Sequence, residues 1–112
     1  MSDALLQRLQ AEREVWVELG GGQAVKATLP GFVQRARLAG LDNAQRLWQL
    51  GVEQVVDWRG FTAPGGADAL AFSAPLWRLL ADDHEDWVVT VASAVMDARQ
   101  QRQAAAEAAA KN

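Results

Sequence analysis

The chain has 112 residues, half of them apolar, with 14 acidic residues, 11 lysines or arginines and a formal net charge of −3. This length fits one domain, the apolar content excludes intrinsic disorder, and the negative charge argues against a nucleic-acid partner, which needs a basic surface. The sequence has no cysteine, which excludes disulfides, thiolate metal sites and thiol nucleophiles.

The N-terminal residues 1–14 predict a helical arm. Leu5, Leu6 and Leu9 fall on one side of this helix and form a narrow apolar stripe. Two interpretations stay open: the arm packs on its own domain, or it is held for a partner.

A β-hairpin is predicted next. Residues 15–19 are rich in β-formers, residues 20–22 are three glycines suited to a turn, and residues 23–29 alternate between two faces. Three glycines also occur in phosphate loops, but the Gly-Lys-Ser/Thr sequence of those loops is missing. A lone hairpin is marginally stable, so we expect it to pack on helices or pair with another chain.

Two helices are predicted after the hairpin. The first covers residues 32–39, with Arg35 and Arg37 facing water. The second continues through residues 44–58, because apolar residues recur at helical spacing up to Trp58. Gly51 lies inside it, and we expect this glycine to allow a close helix–helix contact.

The C-terminal half predicts a loop and two further helices. Pro64, Gly65 and Gly66 mark the loop, and Ser73 is expected to cap a short helix over residues 74–81. An acidic group then opens a longer helix, which starts near Asp83 and runs past Gln103; the group comprises Asp82, Asp83, Glu85 and Asp86.

The last helix carries two adjacent apolar stripes. The first consists of Val88, Val91, Val95 and Ala98, and the second of Val89, Ala92 and Met96. Two stripes make a face wider than one core needs, so the helix is either sunk deeply in the core or exposes one edge to a neighbour. On the second interpretation, Val89 and Met96 are candidate self-association residues.

The five tryptophans divide into two groups. Trp16, Trp48 and Trp87 are predicted to lie in the core. Trp58 and Trp77 fit either the core or an interface, where tryptophan is enriched. The helix over residues 74–81 is apolar nearly all round, so Trp77 and Leu80 are further candidates for partner contact.

No catalytic, cofactor-binding or metal site is predicted. His84 stands among carboxylates, but the spacing matches no Ca²⁺ loop, and an exposed acidic helix start is the better interpretation. Ser73 or Ser93 with His84 would be a nucleophile and base, yet neither serine stands in a nucleophile-elbow motif. The sequence therefore predicts a protein without enzymatic activity.

The expected fold is α+β and predominantly helical, with the N-terminal hairpin packed on a small helical domain. The expected organisation is an arm over residues 1–14, a globular domain over residues 15–98 and a polar, alanine-rich tail over residues 99–112. No apolar run approaches the roughly 20 residues of a membrane span, and the N-terminus lacks the apolar region of a signal peptide.

A family resemblance rests on four positions. A Trp-x-Gly sequence at Trp58 and Gly60 is followed by a glycine-containing loop and a Phe-Ser helix start at Phe72 and Ser73. A leucine-rich helix, an acidic break and a final apolar helix complete the order. In this order the chain resembles the tail assembly chaperones of long-tailed bacteriophages, over roughly residues 41–98.

The resemblance implies a chaperone that binds the tape measure protein during tail morphogenesis and that tends to self-associate. It implies a location in the host bacterial cytoplasm and absence from the mature virion. The absence of a long apolar run predicts that no membrane is a partner. A structural head–tail connector or minor virion protein is the alternative.

The resemblance also implies a longer product made by a −1 frameshift near the stop codon. If Ala110 uses GCA and Lys111 uses AAA, the codons through Asn112 form a slippery heptamer. A helical tail without an apolar stripe tolerates such an extension.

Overall fold

The computed structural model describes residues 2–111, and within them it contains five α-helices and a three-stranded antiparallel sheet. The predicted fold class is confirmed: the protein is α+β, mostly helical, with an N-terminal hairpin. In chain order the elements are α1 (Ser2–Ala11), β1 (Glu14–Gly20), β2 (Gln23–Thr28), α2 (Phe32–Ala39), α3 (Asn43–Trp48), a π-helical turn (Gln49–Glu53), β3 (Val55–Arg59), α4 (Ala74–Asp82) and α5 (Glu85–Lys111). Met1 of the predicted arm and Asn112 of the predicted slippery site lie outside the described residues.

The sheet has the strand order β1-β2-β3, so β2 is central. Val25 pairs with Val17 on β1 and with Trp58 on β3. Because β2 has a neighbour on each side, its apolar residues are fully buried, and Val25 lies at the centre of the core. The predicted hairpin is therefore confirmed, and a third strand completes it.

The prediction of a helix up to Trp58 is wrong, because residues 55–59 form strand β3. The strand contains a β-bulge, which gives its apolar residues a helix-like spacing. Ala27 pairs with Val55 and Lys26 pairs with Asp57, so Val56 is an extra, exposed residue. The bulge places Val55 and Trp58 on the same buried side three residues apart, which is also the spacing of a helix.

The change from helix to strand is fixed by the buried side chain of Gln54. Its Nε2 donates to the backbone oxygen of Thr28 at 2.9 Å and to the Thr28 hydroxyl at 3.0 Å. The Thr28 backbone N–H donates in turn to the backbone oxygen of Gln54 at 2.8 Å. The end of β2 thus holds the residue before β3 in place, and no propensity of the local sequence signals this contact.

Helix α5 crosses the sheet and the π-helical turn. At the crossing, a Cβ added to Gly51 would lie 2.4 Å from the backbone oxygen of Val88, which confirms the expected close contact. Val88, Val91 and Val95 of the first stripe are buried there. Ala92, which was assigned to the second stripe, is buried as well, so the exposed edge of α5 is narrower than predicted.

The boundary between α4 and α5 differs from the prediction. Ser73 caps α4 as expected, since its hydroxyl accepts the N–H of Leu76 at 3.3 Å. Asp82 and Asp83, however, end α4 rather than open α5, which begins at Glu85. The helix dipole therefore favours only the acidic residues of the α5 first turn and opposes the two at the α4 end.

Trp16 is the tryptophan whose predicted burial is wrong. It lies on the edge strand β1 with 39% of its surface exposed, while the next residue, Val17, faces the core. Arg59 covers its ring at 4.5 Å from the centroid. Trp48 and Trp87 are half-buried against the core, in agreement with the prediction.

The molecule is elongated, with extents of 54 × 39 × 23 Å and a radius of gyration of 15.6 Å. A compact domain of this length has a radius near 13 Å. The excess comes from α1 and from α5, which has 27 residues and runs to Lys111, well past Gln103. Within residues 2–111, no helix is both long and apolar enough to cross a membrane.

Candidate partner-binding surface

The motif residue Trp58 is part of the core. It is 6% exposed, its ring stacks on Phe61 with centroids 4.4 Å apart, and Phe72 meets it edge-on at 5.2 Å. Its Nε1 donates to the backbone oxygen of Leu70 at 2.8 Å. Trp58 therefore fastens the loop between β3 and α4 to the sheet.

Gly60 is required by the backbone. Its φ is +80°, a backbone conformation that residues with a side chain rarely adopt. An added Cβ would lie 2.1 Å from the backbone oxygen of Gly22 in the hairpin turn. Phe72 is half-buried beside Trp58, and Ser73 caps α4. All four motif positions thus build the fold rather than a free surface.

Trp77 is not available to a partner, which corrects its assignment as a contact residue. It is 1% exposed, stacks on Trp87 at 6.0 Å, and donates its Nε1 to the backbone oxygen of Val52 at 3.2 Å. Leu80 is half-buried against the core. The side of α4 that faces solvent carries Leu79 instead.

Val89 and Met96 are exposed on α5, at 42% and 48% of their surfaces. They lie seven residues apart and therefore on the same side of the helix. Met96 borders a groove that no single stretch of sequence encodes.

The groove has an apolar section between α2, α3 and α5, with a volume of about 310 Å³. Its walls come from the loop before α2, from α2, from α3, from the π-helical turn and from α5. The lining residues are Pro30, Arg35, Leu38, Ala39, Arg46, Leu50, Val95, Met96, Arg99, Gln100 and Gln103.

An arginine section of about 270 Å³ adjoins the apolar section and shares Pro30, Arg35 and Arg99 with it. Arg13, which follows α1, and Arg102 complete its cationic lining. Its remaining residues are Leu29, Gly31 and Phe32, of which Phe32 is 78% exposed.

The charge of the groove is one-sided. Five of the chain's 11 basic residues line the two sections, and no aspartate or glutamate does; the five are Arg13, Arg35, Arg46, Arg99 and Arg102. Among the described residues, ion pairs form at other arginines and at Lys26, but at none of these five. The groove is therefore a cationic surface on an acidic protein.

Two arginines of the groove are partly buried, and they differ in their hydrogen bonds. Arg46 donates to the backbone oxygens of Leu38 and Leu41 at 3.1 and 2.9 Å. Arg35 was expected to face water, but it is half-buried, and its Nε is buried without a hydrogen-bond partner among the described residues. A buried donor of this kind is uncommon in folded proteins.

A second exposed apolar surface lies on α1. Leu5, Leu6 and Leu9 are 57%, 55% and 45% exposed, so the arm is not covered by its own domain in this structure. A helix of ten residues is marginal in water without packing. Of the two interpretations of the arm, the exposure of these leucines favours the one in which the arm is held for a partner.

The residues considered for chemistry have structural contacts. The His84 Nδ1 lies 2.7 Å from the backbone oxygen of Leu80, and its ring stacks on Trp87 at 3.9 Å. Ser73 is engaged as a cap, and Ser93 is exposed on α5. Within residues 2–111, no cluster of three or more histidine, aspartate or glutamate side chains is placed to hold a metal ion.

Sequence reasoning missed the groove because its residues come from separate elements. Only one part of it was visible: Met96, Arg99 and Gln103 recur at helical spacing and so share one side of α5. Arg13 and Arg35 join them only through the packing of α2 and of the chain after α1, which no local pattern encodes.

No family model, curated protein or solved structure matches the chain.

Proposed function

We propose that this protein is a phage tail assembly chaperone that binds the tape measure protein during tail morphogenesis, without enzymatic activity. The observation that carries the proposal is the open groove between α2, α3 and α5, whose aliphatic section suits the apolar side of a helix. Amphipathic helices commonly bind in grooves of this kind. The resemblance at Trp58, Gly60, Phe72 and Ser73 supplies the identity of the partner.

The proposed mechanism is the covering of apolar helical surface. A tape measure protein is a long helical chain that would aggregate through its apolar stripes before tube subunits enclose it. A helix laid in the groove would bury its stripe against the exposed side chains of Met96 and Ala39, because the other aliphatic lining residues, Leu38, Leu50 and Val95, belong to the buried core. The exposed leucines of α1 offer a second strip for the same purpose or for self-association.

The proposal places the protein in the host bacterial cytoplasm and outside the finished particle. The test is quantitative mass spectrometry of infected or induced cells and of particles purified from them. We expect the chain to be abundant in the lysate beside the tape measure protein and depleted from the particles. Recovery in the particles at a fixed copy number per tail would contradict the chaperone and support the head–tail connector or minor virion protein.

A further inference from the structure

We propose that the groove selects an acidic amphipathic helix, with carboxylates in the arginine section and aliphatic side chains in the apolar section. The inference rests on the proposed function for the name of the partner, which would be a glutamate- or aspartate-bearing segment of the tape measure protein. The chemistry of the groove stands on its own geometry.

The positive charge of the arginine section is unbalanced. Arg99 and Arg102 are three residues apart on α5, where like charges are unfavourable, and Arg35 and Arg13 are brought to the same section. The chain has 14 acidic residues and a net charge of −3, yet none within residues 2–111 lines this section. Glu14 lines the adjoining cavity that shares Arg13, but it forms its ion pair with Lys26. An anionic ligand would relieve the repulsion that the fold itself leaves in place.

Arg35 lies where the two sections of the groove meet. It lines both sections, and its Nε is buried without a hydrogen-bond partner among the described residues. A carboxylate matches the planar fork of a guanidinium and forms short, charge-assisted hydrogen bonds with it. Arg35 would therefore bind an acidic side chain at the junction of the sections through the part of its guanidinium that lines the groove, and not through the buried Nε.

The groove fits a polypeptide better than a nucleic acid. The arginine section continues directly into the apolar section, where Met96 and Ala39 are exposed beside the buried Leu38, Leu50 and Val95, so the ligand must be apolar as well as anionic. Single-stranded nucleic acids bind through aromatic platforms as well as charge. Within residues 2–111, Phe32 is the one aromatic residue that borders the groove, whereas aliphatic walls suit leucine-type side chains.

The probe for the test is a synthetic helical peptide of roughly 20 residues with leucines on one side and glutamates flanking them. A matched peptide carries lysine at every glutamate position, and a single-stranded oligonucleotide of similar charge provides a third arm. Binding to the full chain is measured by fluorescence anisotropy of the labelled probes at several salt concentrations. Circular dichroism confirms that each protein variant is folded.

We expect the glutamate peptide to bind, the lysine peptide not to bind, and the affinity to fall with added salt. The double variant Arg99→Gln/Arg102→Gln should weaken binding by about tenfold or more, because two charge contacts are lost. Met96→Glu should weaken it through the apolar section. The control Arg37→Gln/Lys111→Gln removes the same charge at exposed positions outside the groove and should leave binding unchanged.

Four results would overturn the inference: equal binding of the two peptides, unchanged binding by the groove variant, an equal loss in the control, or preferential binding of the oligonucleotide. If no peptide binds and the groove variant abolishes self-association instead, the occupant is a second copy of the chain. None of these results bears on whether the protein leaves the mature particle, so the proposed function is judged separately.

Discussion

Trp58 lies where the sheet, the loop after β3 and the start of α4 meet. Its ring contacts Phe61 and Phe72, and its indole N–H satisfies the backbone oxygen of Leu70. Trp16, by contrast, lies on the outer side of the edge strand under Arg59. The two tryptophans differ in burial and not in size, which makes them a matched pair for measuring the contribution of the core.

We predict that Trp58→Ala lowers the free energy of unfolding by about 3–5 kcal/mol, since it leaves a large cavity and an unpaired carbonyl. Trp16→Ala should cost about 1 kcal/mol or less, because it removes an exposed ring and a cation–π contact. Urea unfolding followed by circular dichroism measures both. Equal losses in the two variants would show that Trp58 does not hold the loop to the core.

At the scale of elements, the sequence predicted both strands of the hairpin and all five α-helices, although it continued the helix that contains α3 through the residues of β3. It could not predict β3, because the bulge at Val56 gives Val55 and Trp58 a helix-like spacing. It also missed the groove, whose lining is assembled by tertiary packing. The sequence singled out the four motif residues, and the structure shows that they stabilise the fold. Spacing alone does not distinguish a residue that stabilises the fold from one that binds a partner.

The π-helical turn and α4 are joined by an ion pair between Glu53 and Arg78, with Nη2 and Oε2 2.8 Å apart. The hydrogen bond from Arg78 is the main cause that holds the pKa of the Glu53 carboxyl below its usual value; a hydrogen bond from Trp48 and the Arg78 charge add to it, while burial opposes it. A lowered pKa means that the folded state favours the charged carboxylate. Its stabilising effect is therefore present above the unfolded pKa of about 4.3 and is lost as the pH falls through the folded pKa.

We predict that Glu53→Gln lowers the melting temperature at neutral pH and that its difference from wild type shrinks below about pH 4. Arg78→Gln should behave alike, and the double variant should lose no more than either single variant if the pair acts as one unit. Thermal melts from acidic to neutral pH measure this. A difference that stays constant over the whole range would contradict the assigned role of the ion pair.

At the scale of the whole molecule, apolar surface remains on α1 and on one side of α5. The exposed leucines of α1 project from the domain, Met96 lines the groove, and Val89 is exposed on the same side of α5 as Met96. Large exposed apolar patches are typical of interaction surfaces. The molecule is elongated because these two helices extend beyond the core.

We predict that the wild-type chain self-associates with rising concentration and that Val89→Glu/Met96→Glu gives a folded monomer. The charges would be buried unpaired in any contact made by this side of α5. Light scattering coupled to size exclusion measures the mass, and Thr90→Glu/Gln101→Glu, on another side of α5, is the control. A wild type that stays monomeric at high concentration would disprove self-association.

The central proposal, that this chain keeps a tape measure protein soluble, is tested most directly by expressing a tape measure protein with and without the chain. The measured quantity is the fraction of tape measure protein that remains in the supernatant after high-speed centrifugation. The account predicts a large soluble fraction, recovered in a complex with the chain, only when the two are expressed together. A tape measure protein that is equally soluble alone, or that stays insoluble beside the folded chain, would contradict it.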